Sequence, residues 1–236
     1  MTKKRENKMA RPFVLVNVAM AADGKIAFAT ENFVPFSSRR DREHMMELRA
    51  TADAIICGAR TVEVTGTVLG NGGEKFRRLR RKNGLADHPV RVVVSGSGSI
   101  SARAEIFRKH FSPVIVLTTG RASAGKLRRL RAVADEVKIC GQHEINFAAA
   151  LRWLRAKRGV RRLVCEGGGE LNGALFQMGL VDELHLTICP KIFGGRHAPT
   201  VADGNGFSRL AEAARLQVKS AKRVGRELFL VATKAN

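Results

Sequence analysis

The chain alternates short, wholly apolar runs with longer stretches in which apolar residues recur every three or four positions. The first pattern reads as strands buried on both faces, and the second as helices with one inward stripe. Phe13–Val18 is the first such strand, and Asp23-Gly24 follows it as a turn. Ser38–Ala50 reads as a helix, with Ser37 or Ser38 as its N-cap and Met45 and Leu48 in its core stripe. Ala54–Cys57, Val90–Val94 and Pro113–Leu117 are strands, and a helix around Ser123–Ala132 leads to another at Val137–Cys140. Ile145–Arg158 is an amphipathic helix with Trp153 and Leu154 on its inner face, and Leu163–Cys165 is again strand-like. Towards the end the pattern changes. Glu183–Ile188, Ala213–Ala221 and Arg226–Thr233 read as strands without intervening helices, the last two antiparallel around Val224-Gly225. Helix-linked strands finished by antiparallel ones predict an α/β fold with a mixed, mainly parallel sheet and helices on both faces. No repeat, linker or low-complexity tract divides residues 11–236, which read as one domain.

Between the strand at Arg162–Cys165 and the helical spacing of Leu171, Ala174, Leu175 and Met178 lies Glu166-Gly167-Gly168-Gly169-Glu170. A strand that feeds three glycines and then a helix can bring backbone N–H groups against an anion. Glycine has no Cβ to hold a phosphate away, and the helix start carries about half a positive charge. The triplet alone suits an ordinary strand-to-helix turn equally well. Glu166 tips the reading towards chemistry, because a carboxylate closing a buried strand beside such a loop is more often functional than structural.

Composition narrows the classes. The chain has 236 residues, 44% of them hydrophobic, which is ample for one large α/β core. No apolar run approaches the roughly 18 residues that a membrane span needs. Residues 1–10 are rich in Lys and Arg without an apolar segment, and read as a disordered basic leader rather than a secretory signal. Cys57, Cys140, Cys165 and Cys189 form no CxxC pair, so buried free thiols in a reducing cytoplasm are expected, with no zinc site. Lys and Arg outnumber Asp and Glu by 42 to 21, a formal charge of +21 that attracts phosphorylated molecules of any size. The basic clusters, Lys75–Lys82 among them, are dispersed and read as solvated faces, that run as an exposed loop or short helix. With 12 Phe, one Trp and no Tyr there is little to stack bases on, and no nucleic-acid module is recognisable.

Several further motifs stand in a fixed order. Asn17-Val18-Ala19-Met20-Ala21-Ala22-Asp23-Gly24-Lys25-Ile26-Ala27 comes first, then Leu48-Arg49-Ala50, Asp53-Ala54-Ile55 and Gly58-Ala59-Arg60-Thr61-Val62. After the glycine turn come Gly179-Leu180-Val181-Asp182-Glu183, Leu184–Ile188 and Cys189-Pro190-Lys191-Ile192-Phe193-Gly194-Gly195. From about Arg11 to about Val231 the chain resembles the pyrimidine reductases of riboflavin biosynthesis. These have a dihydrofolate-reductase-like fold and occur alone or as the C-terminal domain of bifunctional deaminase–reductases. The chain lacks a zinc-binding deaminase motif, so the resemblance implies a stand-alone reductase.

The resemblance implies reduction of a ribosylaminopyrimidine 5′-phosphate to its ribityl counterpart, with hydride passing from NADPH (or NADH) to C1′ of the sugar. Glu166 and Lys25 match the family's acidic and basic active-site pair. Glu166 would hydrogen-bond the sugar or pyrimidine, and Lys25 would assist opening of the ribose ring. Arg49 would meet the 5′-phosphate, although a cation at a helix end also serves the macrodipole. Ser37 and Leu69 are weaker substrate candidates. The cofactor would meet Ala19, Gly58, Thr61, Thr65 and Gly167, Gly168, Gly169, Glu170 and Leu171; Thr61 also suits a helix N-cap. A homodimer is implied too.

Departures from the family pattern concentrate in Thr61–Gly72. Thr65 stands where an acidic residue helps fix the cofactor, and Gly72 where a basic residue often is. Two other readings follow. One is a reductase of the same fold acting on dihydrofolate or another pterin-like heterocycle. The more distant is a nucleic-acid-binding protein without catalysis.

Overall fold

The computed structural model describes residues 11–29 and 34–235, so the basic leader expected over residues 1–10 lies outside the described residues. In chain order the elements are β1 (Phe13–Ala21), α1 (Arg39–Arg49), β2 (Ala54–Gly58), α2 (Ala59–Thr65), α3 (Glu74–Lys82), β3 (Val90–Val94) and α4 (Glu105–Arg108). There follow β4 (Val114–Thr118), α5 (Ala124–Arg131), β5 (Glu136–Ile139), α6 (Phe147–Arg158), β6 (Arg162–Cys165) and α7 (Gly169–Gln177). The chain closes with β7 (Glu183–Cys189), a 3₁₀ turn at Leu210–Glu212, β8 (Leu216–Val224) and β9 (Glu227–Lys234). These strands are mixed and mostly parallel, with an antiparallel end, the α/β architecture that the sequence predicts. The residues fall into two compact units, one of residues up to Phe13 with Arg49–Leu163, the other of Val14–Leu48 with Val164–Asn236.

In the first unit the strands run β5-β4-β3-β2, all parallel, with Ile55 opposite Arg91 and Val93 opposite Val116. β2, β3 and β4 are buried nearly throughout, as expected of Val/Ile runs under helices, whereas β5 at the edge is partly exposed. Ile55, Val93, Val116, Leu69, Ile106 and Leu130 share one core, and each such side chain contributes about 1.5–3 kcal/mol by leaving water. Helix starts and stops follow their sequence signals. Ser123 and Asn146 cap α5 and α6 by accepting from Lys126 and Ala149 N–H, and α6 stops at Gly159 in the left-handed conformation.

The Lys75–Lys82 run is a short helix with most of its basic residues exposed, as expected, but two arginines in this unit are exceptions. Arg80, inside the Lys75–Lys82 run, is 1% exposed. Its guanidinium donates to the carbonyls of Ala86 at 2.7 Å, Arg49 at 2.6 Å and Ala52 at 2.7 Å. Arg91, on β3, is equally buried and donates to Ile106 O at 2.8 Å and to Ser112 O. Burial pushes the Arg91 guanidinium down to about 10. These groups meet carbonyls left over where helices and loops end, which would otherwise be unsatisfied.

In the second unit the order is β1-β7-β9-β8. β1 is parallel to β7, with Val16 opposite Leu184, and the two C-terminal pairings are antiparallel. The hairpin turns at Gly225, whose φ of 62° suits glycine. Ser38, rather than Ser37, caps α1, its hydroxyl accepting from Asp41 N–H at 3.1 Å. The buried carboxylate of Glu227 on β9 accepts from Ser38 N–H at 2.7 Å and its hydroxyl at 2.6 Å, clasping the helix start. Strand β8 begins three residues later than its sequence suggests, and α4 and the 3₁₀ turn were not expected.

Candidate active site

In the second unit, β1 is buried from Val14 to Asn17 and opens at Val18, Ala19 and Met20, which are partly exposed. It ends in the turn Asp23-Gly24-Lys25, where Gly24 has φ 83° and Ala21 N–H donates to Lys25 O at 2.8 Å. The turn is stitched to residues 193–200. The Asp23 carboxylate accepts from Gly194 N–H at 2.6 Å and Phe193 N–H at 3.2 Å. The Gly194 N–H, foremost among its contacts, holds the Asp23 carboxyl below the usual carboxylate range. Lys25 Nζ donates to Ala198 O at 3.1 Å, and Ile26 N–H to Pro199 O at 2.9 Å.

The same segment continues to the glycine turn. Asp203 N–H donates to Gly169 O at 2.9 Å, while its carboxylate accepts from Thr200 N–H and hydroxyl. Asn172, fully buried on α7, donates to Val201 O at 2.9 Å and takes the Cys165 thiol at 3.4 Å. Residues 193–203 therefore form a strap that is bonded to the Lys25 turn at one end and to the first turn of α7 at the other. Glu166 lies between Cys165 and this turn, half-buried. Burial, above all, and the nearby Glu166 charge push the Cys165 thiol up to about 12, so it is no nucleophile.

The glycines have a reason that the sequence does not reveal. Gly167 and Gly168 have φ of 62° and 95°, which glycine alone adopts freely. A Cβ on Gly167 would run into the Asn172 carboxamide, one on Gly169 into the Asp203 carboxylate, and one on Gly173 into the Asp203 carbonyl. Close packing, against Asn172 of α7 for Gly167 and against Asp203 of the strap for Gly169, requires two of the three glycines in the triplet. Gly168, the N-cap of α7, offers no side-chain cap, so the helix starts with backbone N–H groups that a phosphate can accept from. Leu171 is 5% exposed and can face a ligand only through its backbone, whereas Glu170 is exposed. Ser37 is half-buried immediately before the α1 cap.

In the first unit, Gly58 ends β2 and is the uncapped N-cap of α2, so Thr61 lies inside the helix rather than capping it. Thr65 Oγ donates to Thr61 O at 2.7 Å and accepts from Thr67 N–H at 3.2 Å, closing the helix before Gly66. Leu69 is fully buried in the core, at the unusual φ of 50°. Arg49, 4% exposed at the end of α1, donates to Gly70 O at 2.6 Å. The structure thus joins Lys25 and the glycine turn by one strap in the second unit, and Arg49 and the Leu69–Gly70 bend in the first. Asp23, Asn172, Thr200 and Asp203 escaped the sequence reading. Asp23 had a signal in its Asp-Gly-Lys turn, but nothing local marks Asp203, which meets its partner 34 positions away.

The glycine N-caps of α2 and of α7 each lack a side-chain cap. No cluster of metal-ligating side chains exists among the described residues, and no described helix is long and apolar enough to cross a membrane. All four cysteines are free and buried.

Comparison with known proteins gives consistent matches. The family described as RibD C-terminal domain matches residues 12–230. The 2,5-diamino-6-ribosylamino-4(3H)-pyrimidinone 5′-phosphate reductase of Archaeoglobus fulgidus is 34% identical over 226 residues, covering 96% of this chain and 99% of that protein. A pyrimidine reductase-like protein from Corynebacterium diphtheriae superposes with TM-score 0.82 at 22% identity, over 95% of this chain and 92% of that one. RibD of Acinetobacter baumannii superposes with TM-score 0.74 at 19% identity; 96% of this chain is covered, and it spans 59% of that longer protein.

Proposed function

Because the chain belongs to the RibD C-terminal domain family, we propose that it reduces a ribosylaminopyrimidine 5′-phosphate to the ribitylaminopyrimidine 5′-phosphate of riboflavin biosynthesis. NADPH is the proposed reductant, with the uncapped glycine turn after β6 as the proposed seat for its phosphates, and its nicotinamide supplies the hydride for C1′. The observation that carries the reading is the strap, which ties the Lys25 turn to the glycine turn that follows Glu166. That tie supports Lys25 and Glu166 as the pair of opposite charge that opening a sugar and moving a proton requires.

Lys25 Nζ, held by the Ala198 carbonyl, keeps donors for the ribose ring oxygen as the ring opens. Glu166 holds the sugar or pyrimidine by accepting its hydrogen bonds. Arg49 favours the 5′-phosphate. A reducing cytoplasm suits four buried thiols, and a homodimer is the proposed assembly.

The test is NADPH oxidation, followed by absorbance, with the ribosylaminopyrimidine phosphate or dihydrofolate as substrate. The first substrate should be turned over and the second not; the reverse would make this a reductase of another heterocycle. In Glu166→Gln, turnover should fall about 10²–10⁴-fold while NADPH binding persists. Near wild-type turnover in that folded variant would end the role assigned to Glu166.

A further inference from the structure

A second cluster of ionisable groups lies in the second unit, on the face of the β7-β9-β8 sheet under α1. His44 of α1 and His185 of β7 meet through Nε2 and Nδ1 at 2.9 Å. Each ring turns its other nitrogen to a carboxylate. His185 Nε2 is 2.9 Å from Glu183, and His44 Nδ1 is 3.5 Å from Glu47. The pair floors a cavity of about 260 Å³ whose wall also includes Arg40, Lys222, Thr187 and Ser220, with the Phe229 ring beside His44. Neither Lys25, Glu166 nor any residue of the glycine turn lines it.

Hydrogen-bond arithmetic fixes what the pair can do. His185 Nε2 lies within hydrogen-bond reach of the Glu183 carboxylate, which only accepts, so that outer nitrogen carries hydrogen. The two inner nitrogens face each other, and a hydrogen bond between them needs one hydrogen, not two. The closed pair therefore leaves one inner nitrogen as a bare acceptor. One further hydrogen there turns both inner N–H groups towards the same point, and the contact must open.

The charges around the pair decide what then fits. Glu47 and Glu43 on α1 are drawn to Arg40, Glu47 at 2.8 Å and Glu43 at 3.5 Å. Glu183 on β7 lies against the His185 ring. Lys222, on β8, makes no ion pair with another described side chain. Every group reaching the cavity by a polar side chain can donate: two ring nitrogens, an ammonium, a guanidinium and two hydroxyls. Such a set accepts an oxyanion and disfavours a cation.

We propose that this cavity is an anion site, separate from the catalytic one, that takes a phosphate or phosphate monoester and one proton together. An anion oxygen enters between His44 Nε2 and His185 Nδ1 and accepts from both. The proton comes from solvent to the inner nitrogen that had been the acceptor. Lys222 and Arg40 face the remaining oxygens. Because a proton is taken up with the anion, binding is tighter at lower pH. It opens the His44–His185 contact that links α1 to β7, and so acts on the helix that carries the α1 cap.

The experiment uses the full chain, with inorganic phosphate and ribose 5-phosphate as separate probes. The ¹⁵N resonances of the six histidines are assigned by single deletions such as His44→Gln. Phosphate should drive His44 Nε2 and His185 Nδ1 to the protonated pattern and leave the other four histidines unmoved. Calorimetry in two buffers of different ionisation heat should return one proton taken up per anion. Lys222→Gln, an exposed strand position, should weaken that response about tenfold, and tighter binding of ribose 5-phosphate would identify the ester as the better ligand. Unmoved His44 and His185 resonances at about 10 mM phosphate, where even a millimolar site fills, would overturn the proposal. So would binding without proton uptake, or a Lys222→Gln response equal to that of the parent.

Discussion

The two compact units hold their irregular backbone in opposite electrostatic senses. In the first, the guanidinium groups of Arg80 and Arg91 reach into the interior and satisfy carbonyls at the ends of helices and loops. In the second, carboxylates do the holding: Asp23 on residues 193–194, Asp203 on Thr200, Asp182 on Val14 and Glu227 on Ser38. Carboxylates also occur in the first unit, where Asp53 and Asp135 accept from strand starts, but its interior joints are cationic. A guanidinium keeps its charge at any working pH, whereas a carboxylate can be neutralised by acid. The residues proposed for proton chemistry, Lys25 and Glu166, lie in the unit built on groups that titrate.

The comparison can be broken most severely at Arg80. Arg80→Met leaves three carbonyls without their donor and should lower stability by about 3–5 kcal/mol, measured by urea unfolding. A loss under about 1 kcal/mol would mean that these carbonyls find other partners, and the first unit would not depend on its buried cation. A milder probe on the other side is Glu227→Gln, which keeps one acceptor for Ser38 but sets an amide N–H against a second donor. Its expected cost is about 1–2 kcal/mol, with fraying at the start of α1 visible as faster amide exchange at Asp41.

Acid gives the smallest effect and the sharpest contrast. The Asp23 carboxyl titrates below its ordinary value of 3.8 when folded. The stability from that joint is therefore fully present above 3.8 and fades as pH falls through the folded value. Amide exchange at Phe193 and Gly194 should quicken there, before the Arg80 and Arg91 loops respond. Simultaneous loss of protection in both units would erase the distinction.

What could be read from sequence was what repeats locally. Buried strands such as Val90–Val94 and the helix at Phe147–Arg158 announce themselves through unbroken or three-to-four apolar spacing. β8 was misread by three residues because most of it is exposed, so no inward face marks its start. Arg80 had a signal that charge obscured: it stands four residues after Phe76, on the one face of α3 that is buried. Of the candidate site, the turn at Asp23–Lys25 and the Glu166 glycine turn were legible as motifs. The strap that joins them was not, because Asp203 and Gly169 meet only in three dimensions.

The pairing of β1 with β7 also sets a timetable for the growing chain. Val14 is 168 positions from Asp182, the residue that clasps it, and Val14, Leu15 and Val16 are fully buried when folding is complete. At about 5–20 residues per second, synthesis keeps this apolar strand waiting roughly 8–34 s for its neighbour. The 49–163 stretch of the first unit, with its parallel strands drawn from one continuous length, has emerged by then. The strand that leads to Lys25 is among the first made and among the last to be covered, an interval in which a holding chaperone or a wrong strand edge competes for it.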